Sequence, residues 1–201
     1  MDQEKIEKTA FICSLESSGY GYAIQYKEAY KLLYKTKTID SIAIPILFLI
    51  RHYLELILKA NIKYFAKYSE SNSMIKEIDN KHDLLPLSNS FKEHWTKVKK
   101  TYNLNINDTE YFNKLDELIK KFNELDKKSF SFRYPCDKEG NPNLDVTKPI
   151  DIYGIKKLVD EVLPLLEYSI VEFGEMITPY NEYIKELSAD IEKEFMPDYF
   201  N

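Results

Sequence analysis

Apolar residues recur at helical spacing along most of the chain. Tyr111, Leu115, Leu118, Ile119, Phe122 and Leu125 predict an amphipathic helix with one buried face. The pattern resumes after Asp151 through Ile155, Leu158, Val159, Val162, Leu166, Ile170 and Phe173, with a bend expected at Pro164. Another helix is expected from about Leu87 to Tyr102, entered through His82-Asp83-Leu84-Leu85-Pro86. Thr178-Pro179 reads as a cap followed by a first-turn proline, so a last helix should start there and run to about Phe195. Its acidic residues make that helix a solvated cover or a partner surface. At the other end, Ile6, Ala10, Phe11 and Leu15 suggest a short helix over residues 1–17, broken by Ser17, Ser18 and Gly19. Residues 20–37 restart the helix. Ile39 to Ala66 is apolar on nearly every side, the mark of a helix buried at the centre of a bundle. Thr38 or Asp40 can cap it, and Pro45 lies in its first turns.

One stretch has a different period. In Ser129–Tyr134, Phe130, Phe132 and Tyr134 alternate with Ser129, Ser131 and Arg133, and the turn-rich Pro135–Asn143 follows. The alternation predicts an irregular hairpin with Arg133 on the polar face of its first strand. The fold expected is therefore all-α: a multi-helix bundle in a single domain, 1–201, with a small irregular β-hairpin insertion near 129–147.

Composition agrees with a folded chain. Of 201 residues, 44% are hydrophobic and only 5 are Gly, which suits helices around a core. Net charge is −5, which argues against an indiscriminate nucleic-acid coat. The charge is uneven: residues 1–100 carry 16 basic and 12 acidic groups, residues 101–201 carry 12 and 21. A local basic surface on the first half stays open, as does a basic partner for the second. Cys13 and Cys136 have no motif spacing and no leader pattern precedes them, so a cytoplasmic location is expected. The run Ile42–Ile50 is short for a membrane span before Arg51 and His52 interrupt it, so no membrane insertion is expected.

The central helix also carries the candidate chemistry. Arg51, His52, Glu55 and Lys59 fall within an arc of about 100° on it. Buried polar groups must pair or face a cleft. Glu55 lies four residues from both Arg51 and Lys59, so an intrahelical ion ladder is the plainer reading. That ladder leaves His52 unexplained; beside cations it has the chemistry of a general acid or base. His82 and Arg133 are more distant candidates, and His94 has no assigned role. Tyr22, Tyr26, Tyr30 and Tyr34 repeat beside Lys27, Lys31 and Lys35. Such a pairing suits base stacking with phosphate contacts, but rings at the core edge beside a solvated lysine stripe is the plainer reading. No CxxC, HExxH, glycine-rich phosphate loop or nucleophile elbow occurs, so neither metal nor cofactor is expected.

Three segments in order, RHYLELILKA (Arg51–Ala60), HDLLPL (His82–Leu87) and FRYPCDKEGNP (Phe132–Pro142), resemble bacterial members of the HEPN superfamily, the higher eukaryote and prokaryote nucleotide-binding domains. The resemblance implies a helical bundle, commonly a homodimer, associated with toxin–antitoxin and other antiviral defence systems. Many members are metal-independent RNases with an Arg-x4–6-His motif at the dimer cleft. Here no His follows Arg51 or Arg133 at that spacing, so the motif does not carry over. The expectation is a non-catalytic or degenerate role in binding RNA, a nucleotide or a protein partner, with Arg51, His52, Lys59, His82 and Arg133 lining the surface and Glu55 orienting a cation. The alternative is a metal-independent RNase with a rearranged site. His52 or His82 would then be the base, and Arg51 or Arg133 would steady phosphorane charge.

Overall fold

The computed structural model of the chain describes residues 19–36, 38–126, 129–145 and 147–195, and their side chains except at 180, 184 and 187–195. The helix expected over residues 1–17, Cys13 and Val146 lie outside the described residues.

The described part is all-α. Helix α1 (Gly19–Tyr34) turns into the long α2 (Ile39–Phe65); then come α3 (Leu84–Thr101), α4 (Thr109–Asp126), α5 (Ile152–Leu163) and α6 (Ser169–Phe195). Helix α2 is the axis. It packs against α1 on one side and α3 on another, while α4 bridges α3 to α5. The chain then returns beneath α2 at the join of α5 and α6. The nearly unbroken apolarity of α2 is what this position requires. Ile46, Leu47, Ile50, Tyr53, Leu54, Ile57, Leu58, Ile62 and Phe65 are all fully buried, and each buried Leu or Ile contributes about 1.5–3 kcal/mol. By length and composition α2 would also suffice to cross a membrane; here half of its most apolar window is buried by the rest of the chain. Neither expected cap forms: Thr38 makes no side-chain capping bond, and Asp40 sits inside the first turn.

Three other expectations change. First, residues 129–145 contain no strand. The N–H groups of Arg133 and Tyr134 both donate to Phe130 O, at 3.0 and 2.9 Å, closing a helical turn. The cause lies upstream. Asp126 Oδ1 accepts the N–H of Phe130 (2.8 Å) and of Ser131 (3.0 Å), and Ser129 reverses the chain at φ +63°. The alternating pattern is satisfied in a turn, with Phe132 buried and Phe130 and Tyr134 exposed. A single antiparallel bridge, Cys136 to Pro142, is the only strand-like pairing among the described residues. Arg133 therefore lies on a turn and not on a strand.

Second, Pro179 does not begin a new helix. Helix α6 runs through it, and the Thr178 hydroxyl donates to Gly174 O (2.7 Å) in the turn that the missing proline N–H weakens. Third, the helix passes Pro164 by widening into a π turn, Pro164–Tyr168, that joins α5 to α6. Asn61 on α2 clasps this turn. Its Nδ2 donates to Leu166 O and to Ile57 O, both at 2.8 Å, and its Oδ1 accepts from Ser169 Oγ (3.1 Å).

Helix α5 starts at Asp151 as expected, and Asp151 caps it by accepting the N–H of Gly154 at 2.8 Å. In α1 the lysine stripe is not uniformly solvated. Lys27 is buried, with Nζ 2.8 Å from Glu167 Oε2 in the π turn, and Tyr30 beside it is fully buried.

Candidate functional site

The centre of α2 holds a buried ion network rather than an open patch. Arg51 is 2% exposed. Its Nε faces Asp126 at the end of α4, donating to the backbone O at 3.2 Å and lying 3.3 Å from Oδ2. One terminal nitrogen donates to His82 O (2.9 Å) and the other to Glu55 Oε2 (3.4 Å). Glu55 is as deeply buried. Its Oε1 accepts from Lys59 Nζ and from His82 Nδ1, both at 2.9 Å. Lys59 also reaches Asp79 O at 3.4 Å.

The expected ladder Arg51–Glu55–Lys59 is thus present, and it continues across the chain to Asp126 and His82. Burial pushes the Glu55 carboxyl up, but the hydrogen bonds and charges of Lys59 and His82 outweigh this and leave it below the ordinary carboxylate range. Burial lowers the Arg51 pKa, against the raising pull of Asp126 and Glu55.

Four of the six candidates, Arg51, Glu55, Lys59 and His82, meet in this network. His52 does not join it. Its ring stacks on Phe48 (centroids 5.7 Å, 7°) and takes the edge of Tyr26 of α1 (4.4 Å, 81°), with no hydrogen bond to either nitrogen among the described residues. Burial lowers its pKa, and Lys59, Arg51 and Arg133 add to this against Glu55. Arg133 makes no bond to the network, although its charge is felt at both Arg51 and His52. Its Nε donates to Ser129 O (2.5 Å), and its guanidinium lies over the rings of Phe130 (5.2 Å) and Tyr134 (5.9 Å).

Solvent reaches the network from one side. The His82 side chain is 58% exposed while Glu55 holds it from behind. The Glu55 carboxylate on Nδ1 orients the ring of this largely exposed histidine. Beyond Asp126 the chain opens a cleft of about 780 Å³, lined by Phe130, Ser131, Tyr134, Lys138, Glu139 and Asn143 among others. Among the described residues no group of three or more His, Cys, Asp or Glu stands together as a metal site.

Asp126 escaped the sequence reading although it organises the site. A carboxylate in the last turn of a helix is disfavoured by the helix dipole, which is the signal that it needs a cation elsewhere. Glu167 was missed too. It sits in the apolar run Pro164–Ile170 and receives both Lys27 and the Tyr53 hydroxyl (2.8 Å). His94 has a structural part. Fully buried, it donates from Nε2 to Ser73 O (2.9 Å) and accepts at Nδ1 from Ser69 (2.6 Å), pinning the loop after α2.

Fold and site together define an all-α bundle whose axial helix carries a buried ion network that surfaces at one histidine. Compared with protein-family models, with curated proteins and with solved structures, the chain matches none.

Proposed function

We propose that this chain is a HEPN-like protein of bacterial defence that binds single-stranded RNA or a nucleotide without cleaving it, and that it acts as a homodimer in the cytoplasm. The observation that carries the non-catalytic reading is the engagement of Arg51. At 2% exposure and with protein acceptors on its Nε and both terminal nitrogens, it has no free face for a substrate phosphate. By contrast, His82 at the edge of this network and Arg133 on the turn beyond Asp126 are exposed and offer imidazole and guanidinium to a ligand. The test is a titration of labelled single-stranded RNA in the presence of chelator, with product analysis on a gel and light scattering for mass. Binding by a dimer with intact RNA is expected. A folded protein that binds neither RNA nor nucleotides would sink the reading.

A second reading, a metal-independent RNase, is favoured by the Glu55–His82 pair. A carboxylate-oriented imidazole is the arrangement of a general base for 2′-hydroxyl attack. Chelator-insensitive cleavage that disappears in His82→Ala but survives in His52→Ala would establish it.

A further inference from the structure

The cleft beside the 130–134 turn is built from unusual surface. Phe130 and Tyr134 are 51% and 53% exposed, yet they are large aromatics four residues apart on one turn. Their centroids lie 6.3 Å apart with the planes tilted by 34°. Exposed rings on a turn are ordinarily free to rotate. These are held, because Arg133 covers both with its guanidinium while its Nε is fixed on Ser129 O. The turn is fixed in its own right by the two N–H bonds to the buried Asp126 carboxylate. Both rings line the cleft, whereas Arg133 does not, so the guanidinium backs the pair and leaves the remaining ring surface to the cleft. The volume, about 780 Å³, falls within the range of about 300–1,000 Å³ usual for small-molecule sites.

The polar lining narrows the occupant. The Asp137 carboxylate is engaged by the N–H groups of Glu139 and Asn141 and by the Asn141 amide. Asn143 Nδ2 is committed to Tyr134 O (2.9 Å), which leaves its Oδ1 as an acceptor. Glu139 adds a carboxylate with no partner among the described residues, and Lys138 is the one cation among the described lining residues. Among the described lining residues carboxylates outnumber cations, which favours an amine-bearing group over a phosphate. Held aromatic rings with acceptors beyond them match a flat, π-rich group that presents N–H donors at its edge.

We propose that this cleft takes a nucleobase bearing an exocyclic amine, stacked on Phe130 and Tyr134 with its amine toward Glu139 and Asn143. The base comes either from a strand of single-stranded RNA or from a free nucleotide, and its phosphate stays outside. The inference rests on the RNA- or nucleotide-binding reading above and specifies the site for it.

The experiment is fluorescence anisotropy with 5′-labelled rA12, rC12 and rU12, with AMP and UMP as unlabelled competitors. The proteins are the wild type, Phe130→Ala, Tyr134→Ala, Tyr134→Phe and Glu139→Gln, each checked for fold by circular dichroism. Wild type should hold rA12 and rC12 roughly tenfold tighter than rU12, the scale of one charge-assisted hydrogen bond. Each alanine variant should lose about 5- to 150-fold, the range of one stacked base, while Tyr134→Phe keeps its affinity. Glu139→Gln should narrow the gap between rA12 and rU12 with little change for rU12. Competition by AMP but not UMP assigns the site to the free nucleotide; competition by neither, with the oligonucleotide pattern intact, assigns it to the strand. RNA binding that is indifferent to the alanine variants and to base identity overturns this inference and leaves the broader reading standing. No binding of any probe by the folded wild type overturns both.

Discussion

Arg51 is the residue whose loss should matter most. It satisfies Glu55, Asp126 and the His82 carbonyl in a place that water does not reach. Arg51→Ala would leave two buried carboxylates short of a cation, so a destabilisation of about 3–5 kcal/mol is expected by urea unfolding. Arg51→Lys should recover little of it, since one ammonium cannot reach three separated acceptors. His52 gives a different signature. Its folded pKa is lowered below the ordinary 6.5, so the unfolded chain binds the proton more readily. Its contribution is full above pH 6.5 and declines as pH falls below that value. In His52→Phe, which keeps the ring against Phe48 and Tyr26, that part of the slope should vanish from stability measured between pH 7 and 5. The chemistry of these side chains was visible in the sequence, but their partners were not. Asp126 lies 75 positions from Arg51, beyond any local pattern.

At the scale of elements, the helices follow from apolar spacing and their joints do not. The start of α5 was legible from the apolar spacing that resumes after Asp151; the cap itself is seen only in the structure. It is also testable. A Cβ on Gly154 would lie 2.1 Å from Asp151 Oδ2, so Gly154→Ala must expel the cap. The expected loss is about 1 kcal/mol in the melting equilibrium, with faster amide exchange confined to the first turn of α5. An unchanged exchange pattern there would count against the cap. The π turn at Pro164 and the unbroken passage of α6 through Pro179 show why proline misleads. It removes one N–H, but Asn61 and the Thr178 hydroxyl, one of them a hundred residues away, supply bonds at the disturbed turns. The supposed hairpin failed for a similar reason. Alternation over six residues cannot reveal that a carboxylate three positions earlier has already fixed the turn.

For the whole molecule, acid should be the weak side. Glu55 and Glu93 both have depressed pKa values. Glu93 is held down to about 2 by hydrogen bonds from Lys97 and Ser71. A depressed carboxylate stabilises the fold above its unfolded value, near 4.5, and that stability is lost as pH falls toward the folded value. Melting temperature should therefore drop between about pH 4.5 and 2, and Glu93→Gln should flatten part of the fall. A flat profile in the wild type would refute the assignment. The bundle and its axial helix could be read from the chain because continuous apolarity has only one use in a globular protein. The site could be read only in fragments, since its members come from α2, the loop before α3 and the end of α4. One carboxylate joins two of these parts. Asp126 grips Arg51 at the core and, through the same side chain, the amides on which Phe130 and Ser131 turn. Linkage makes such sharing reciprocal. A ligand that tightens the rim of the cleft through Asp126 should register as slower amide exchange around Arg51.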